Sequence, residues 1–395
     1  MIETIVATSL AKGSAQEAAA SLEAAVHLQL GAHVPKLVLV FASTVQPLDT
    51  VVAALAPSFA GAIVLGASTA GEFTEKGDAK GSTSIFAIAG DYQVFGGMGT
   101  GLKANPEQAI TQALEGLPRA VSGYPHCTAL LLLDPMAGNG DEATLLAASL
   151  LGDGVRLAGG AAGDELAMKA THVSLGGKAA SDAAVIALIF SRTPLGVGVS
   201  HGHVPLSAPL KVTRAAGNVV SEIGGRPAWD VWREKTRDEA KAAGYDTSAL
   251  KASEETAYLL RFEAGLATGD TFKIRAPLSR NEDGSINFAC GVPEGSVFQI
   301  TESVPERQVA SAREAAKRAK EQLGGKAAAG AIVFDCICRK LILNEDFARA
   351  VRGMSEELGG APLAGFETYG EIALDVGEMS GFHNTTSVVL AFPKS

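Results

Sequence analysis

Aromatic residues make up only 6% of this 395-residue chain, and cysteine occurs four times. So few thiols in so long a chain do not make a disulfide framework. Cys127, Cys290, Cys336 and Cys338 read instead as thiols of a reducing compartment, which places the protein in the cytoplasm. No apolar run approaches about eighteen residues, so no helical membrane span is expected. The start of the chain lacks the basic stretch and long apolar core of a secretory leader. Long Lys/Arg runs are missing as well. With a formal net charge of −10, neither nucleic acid nor an anionic membrane surface is expected as the main partner. The common enzyme signatures are also missing: no G-x-S-x-G, no H-E-x-x-H, no phosphate loop and no Rossmann fingerprint. Gly97-Met98-Gly99-Thr100-Gly101 lies at a strand end and opens no clear helix, so it does not read as a nucleotide loop.

Small residues are abundant. The chain has 45 glycines and is 47% apolar, which suits an α/β protein with close helix–sheet contacts. The heptad G-x-x-T-x-G-E occurs twice, as Gly66-Ala67-Ser68-Thr69-Ala70-Gly71-Glu72 and as Gly365-Phe366-Glu367-Thr368-Tyr369-Gly370-Glu371. Each copy follows a short apolar strand and precedes a Thr-rich apolar strand, so the chain reads as containing a duplicated unit. Glycine after a strand permits a sharp turn or a close approach to a ligand. Thr adds a hydroxyl and Glu a carboxylate suited to a cationic or amino group. Thr69, Gly71, Glu72, Thr368, Gly370 and Glu371 are therefore the candidate ligand-binding residues. The competing reading is a tight turn in which each Glu bonds its own loop amides.

Periodicity predicts a capped helix from Ser14-Ala15-Gln16-Glu17, a buried strand over 36–41, a helix over 48–59 and a strand over 62–65. A looser version of this path follows, leading into Gly159-Gly160-Ala161-Ala162-Gly163-Asp164-Glu165 as a degenerate echo of the heptad. Strands are expected over 258–262 and 271–274, and a second capping box at Ser303-Val304-Pro305-Glu306. Continuous apolar strands such as 183–190 require cover on both faces. The expected fold is α/β: duplicated mixed-sheet units with helices packed on the sheets, arranged as an α-β-β-α sandwich. The expected domains are 1–206 and 207–395.

His201-Gly202-His203 places two imidazoles on one face of a strand, candidates for a metal or haem ligand set, against an exposed loop pair as the plainer alternative. Cys336 and Cys338 alternate onto one face, with Arg339 placed to favour a thiolate; a buried structural pair is the plainer alternative. Trp229 and Trp232, at i and i+3 on a helix, read as core.

The two heptads, Gly159–Asp164, Val212–Asn218, Gly225-Arg226-Pro227-Ala228 and His383-Asn384-Thr385-Thr386 together resemble the FIST proteins, over nearly the whole chain. The resemblance implies a FIST N domain followed by a FIST C domain, and a sensory role in bacterial signal transduction without catalysis. It implies a small-molecule ligand such as an amino acid, and action through a separate partner, a histidine kinase or cyclic-di-GMP enzyme. One branch of the family senses nitric oxide through haem, which gives an alternative function; His201 and His203 enter as ligands only from the residue reading. A third reading is an enzyme using paired carboxylates.

Overall fold

The computed structural model describes residues 2–268, 271–374 and 381–395. The chain follows one path three times. The first repeat runs through strand Ile5–Ala11, helix Ala15–Leu30, strand Leu37–Ala42, helix Leu48–Leu55, strand Ile63–Ser68, the short strands Glu72–Thr74 and Gly77–Ala79, and strand Thr83–Ala89. The second runs from strand Tyr92–Thr100 through His126–Leu133 and Arg156–Ala161 to Ala183–Ser191, with helices Pro106–Leu114 and Gly140–Leu151 between. The third runs from Gly196–His201 through helix Pro305–Glu321, Ala328–Cys336, helix Phe347–Glu357 and Leu363–Thr368 to Thr386–Pro393. In every repeat the sheet order is first strand, last strand, second strand, third strand.

Each sheet is completed by a hairpin from another repeat. The hairpin of Glu72–Thr74 and Gly77–Ala79 pairs with Leu363–Thr368 of the third repeat. The hairpin of Val173–Leu175 and Lys178–Ala180 pairs with Ile63–Ser68 of the first. That of Glu371–Leu374 and Phe382–His383 pairs with Arg156–Ala161 of the second. The exchange is cyclic. The mixed sheets covered by helices agree with the expected α/β class. The two-sheet sandwich is corrected to three sheets whose inner faces share one core.

That core explains where the few aromatics go. Phe41 of the first sheet meets Phe366 of the third, with ring centroids 4.6 Å apart, and Phe334 lies 5.8 Å from Phe366. Phe86 and Phe392 pair at 5.5 Å. Leu130, Leu132 and Val185 of the second sheet close the third side. Alanines and aliphatic residues hold the helices on the outer faces, beginning with Ala18, Ala19, Leu22 and Val26 of the first helix. Its capping box is formed by Ser14 and Glu17 as expected.

Between Gly202 and the third repeat's helix, residues 203–303 build a separate nine-stranded sheet with helices Ala228–Ala242 and Ala252–Arg261. Trp229 and Trp232 sit in its core with Tyr258, Phe288 and Phe298. The expected strand over 258–262 is the end of a helix, because Tyr258, Leu259 and Leu260 are buried from a helical path. The expected capping box at 303–306 does not form. Ser303 is the last residue of a strand, and the helix opens at Pro305 without a side-chain cap. The division expected at 206/207 falls inside the third repeat, after its first strand.

Candidate functional site

The hairpin exchange brings the three strand-end turns together. Ala70 donates its amide to the Glu367 carbonyl at 3.1 Å, and Glu367 donates to that of Gly71 at 2.7 Å. Gly163 donates to Ser68, and Ala161 to Gly370, each at 2.8 Å. Glycine is required where these chains touch. A Cβ on Gly71 would lie 2.6 Å from Glu367 Oε2, and one on Gly163 2.7 Å from the Ala70 nitrogen.

Glu72 and Glu371 are fully buried beside this junction. Glu72 accepts from the Thr69 hydroxyl, from the Ser82 hydroxyl at 2.6 Å and from the Ser82 amide at 3.3 Å. Glu371 accepts from the Thr368 hydroxyl at 2.5 Å, the Thr386 hydroxyl at 2.9 Å and the Thr386 amide at 3.1 Å. Each carboxyl thus ties the start of an exchanged hairpin to the start of the strand that returns. Burial pushes Glu72 up to about 7 and Glu371 up to about 8, against the opposing pull of the hydroxyl bonds. Thr69 and Thr368 are likewise buried. None of these four residues lines the cavities described below; their polar atoms face their own turns.

The pairing registers identify the third equivalent. Glu72 lies opposite Phe366, Glu371 opposite Gly160, and Val173 opposite Ala67. Val173 therefore stands where the other repeats carry glutamate, and Asp164-Glu165 is not the structural echo of the heptad. Asp134 takes over the tie instead, accepting from the Thr171 hydroxyl and, at 2.6 Å, from the Asp182 amide.

His201 and His203 do not form a ligand pair. The chain changes sheets at Gly202, so His201 ends one sheet and His203 begins a strand of another, with ring centroids 6.3 Å apart and tilted by 55°. The His203 ring is enclosed. Thr301 spends its proton on the Glu263 carbonyl, so its oxygen accepts from His203 Nδ1 at 3.2 Å. That leaves Nε2 as an acceptor, 3.5 Å from Glu263 Oε2. Burial holds the Glu263 carboxyl well above its usual range and the His203 imidazole well below its own. A haem iron needs an accessible ring nitrogen, and the enclosed His203 ring offers none. Among the described residues no cluster of three metal-ligating side chains occurs.

Arg339 is committed to partners other than the neighbouring thiols. Its fully buried guanidinium bonds Asp335 at 2.8 Å, Ser311 at 2.8 Å and the Gln308 side chain. Burial pushes the Cys336 thiol well up, and both cysteines pack with Ala70, Leu260 and Ala276. They are core residues.

A cavity of about 640 Å³ opens beside the first turn, at the carboxyl ends of the parallel strands Leu37–Ala42 and Ile63–Ser68. Ser43, Thr44, Ser68 and His172 supply polar lining, and the uncapped helix start at Pro47-Leu48-Asp49 forms part of the wall. Ser68 donates its hydroxyl to the Gly163 carbonyl at 2.8 Å and accepts from the His172 amide at 2.9 Å. The first turn and the middle loop thus share one hydroxyl. Sequence reasoning missed these residues. The available signal was Ser43-Thr44 at the step from strand to helix, where α/β sheets open their crevices. A second cavity, of about 710 Å³ on the inserted sheet, is bounded by Trp229 and Arg280, but Arg280 is already engaged by Glu255 at 3.2 Å and by the Trp229 ring.

Comparison with known proteins matches a FIST N domain to residues 36–226 and a FIST C domain to residues 229–374. Uncharacterized proteins of Mycobacterium bovis and Mycobacterium tuberculosis are each 30% identical over 196 residues, covering 49% of this chain and 49% of the relative. The chain thus spans about half the length of the curated relatives it matches.

Proposed function

The chain belongs to the FIST family, whose domains are sensory modules of signal transduction, and from that premise we propose that it is a cytoplasmic, non-catalytic sensor of a small polar molecule. The molecule, an amino acid or one of similar size, binds beside the first heptad, and the signal passes to a separate partner such as a histidine kinase or cyclic-di-GMP enzyme. The observation that carries this reading is the cavity of about 640 Å³ at the strand ends. Its volume suits one small ligand. Its hydroxyls and imidazole offer hydrogen bonds that would orient a ligand. The heptads serve this site indirectly. They fix the junction on which its walls stand, and the Ser68 hydroxyl belongs to both.

The test is a melting-temperature screen of amino acids and small carboxylates on the wild-type protein and on Ser181→Trp, which fills the cavity at an exposed lining position. A stabilising ligand is expected with wild type and not with Ser181→Trp. A ligand that stabilises both equally binds elsewhere and overturns the assignment.

A further inference from the structure

Besides Asp49 in its wall, a second carboxylate reaches the polar residues of this cavity. Glu165, on the loop of the second repeat, accepts from the Ser43 hydroxyl at 2.6 Å and from the Thr44 hydroxyl at 2.5 Å. Both donors line the cavity. Ser43 is buried, and its oxygen also accepts from the Val45 amide at 3.2 Å, so its single proton is spent on Glu165. Glu165 itself lies on the surface. An exposed carboxylate gains little from such bonds when water is the alternative. The loop that makes them has a costly backbone. Glu165, Leu166 and Met168 have φ of 55°, 66° and 51°, left-handed values that side chains other than glycine rarely take.

The loop is held from its other side by the third repeat. Asp164 accepts amides from Met168 at 2.9 Å, Lys169 at 2.6 Å and Ala170 at 3.1 Å. Tyr369, inside the second heptad, donates its hydroxyl to Asp164 at 2.7 Å and accepts the Leu166 amide at 2.6 Å. The 164–170 segment thus bridges the cavity and the junction of the turns.

We infer that Glu165 is an internal stand-in for a ligand carboxylate: a small carboxylate entering the cavity takes its place on Ser43 and Thr44 and releases the loop. The inference rests on the reading of this cavity as the ligand site. It adds the class of the ligand and the means by which binding is felt. The two hydroxyls already hold a carboxylate; the start of helix Leu48–Leu55 lies in the same wall, where Asp49 accepts the Thr50 amide at 2.6 Å. No bond is made or broken beyond these hydrogen bonds. Release removes one of the contacts that hold a segment with three left-handed residues, leaving it to the bonds of Asp164 and Tyr369. The same segment carries the exposed side chains Leu166 and Met168, so its movement changes an apolar surface.

The test is Glu165→Gly, which deletes the carboxylate and tolerates the positive φ. Wild type, Glu165→Gly and Glu165→Gly/Ser43→Ala are titrated with propionate by calorimetry, and amide exchange of the 164–172 peptide is followed. The variant is expected to bind propionate about tenfold or more tightly than wild type. Added Ser43→Ala should remove the gain, and exchange in 164–172 should be faster in the variant than in wild type. Equal propionate affinity in wild type and Glu165→Gly overturns the stand-in role, as does no binding by either. The cavity reading is judged separately, by whether Ser181→Trp loses the ligand that stabilises wild type.

Discussion

Glu371 illustrates how far a motif can be read from its letters. Thr368 and Glu371 stand three residues apart in the heptad, and their bond is legible as a polar turn. The other half of the tie is Thr386, fifteen residues on, and nothing in the motif points to it. The same limit hides Glu263 as the partner of His203, since the two meet only when separate strands of the inserted sheet pair. Burial has a measurable consequence. The carboxyls of Glu371 and Glu367 are raised from 4.5 to about 8, and that of Glu72 to about 7. The unfolded chain releases these protons near pH 4.5 while the folded chain keeps them, so this contribution falls as pH rises toward 8. Histidine works in the opposite direction. His201 and His383 are lowered from 6.5 to about 4 by burial, which costs stability only below about pH 6.5. Between pH 6.5 and 8 the carboxyls act without that offset. Urea denaturation of wild type is expected to show a loss on the order of a few kcal/mol across that window. Glu371→Gln, which cannot ionise, should lose clearly less. An equal loss in the variant would mean that Glu371 is ionised in the folded protein.

Glycine spacing decides how elements pack. The run Gly97-Met98-Gly99 lies in strand Tyr92–Thr100 and serves packing against the helix that follows at Pro106. A Cβ on Gly97 would lie 2.0 Å from the Ala113 carbonyl oxygen, and one on Gly99 1.8 Å from that of Ala109. The third repeat uses Gly196-Val197-Gly198 in the same way against the carbonyls of Ala319 and Ala315. Helix and strand backbones touch at both places. Strand and helix positions were largely legible from apolar period and caps. This contact was not, because its second surface comes from a helix that no strand pattern specifies. Gly99→Ala should therefore cost about 1–3 kcal/mol by forcing the helix away. Chemical denaturation checks this, and a loss below about 0.5 kcal/mol would show that helix Pro106–Leu114 does not seat that closely.

At the scale of the molecule, two repeats announce themselves and one does not. The first and last carry the heptad glutamate. The middle repeat has Val173 at the equivalent place and lets Asp134 tie its turn, so the pattern search finds only two clear copies. The cyclic hairpin exchange is invisible for a different reason: its pairs lie far apart in sequence, as Glu72 and Phe366 do. The α/β class was legible, and so was the importance of the turns. The cavity was not, because Ser43, Ser68 and His172 meet only through the exchange of a hairpin between repeats. The most direct test of this account is mass spectrometry of the small molecules released on denaturing the protein purified from its native host, compared between wild type and Ser181→Trp. The account requires a small molecule released by wild type and lost from Ser181→Trp. Recovery of the same molecule in the same amount from both would contradict it.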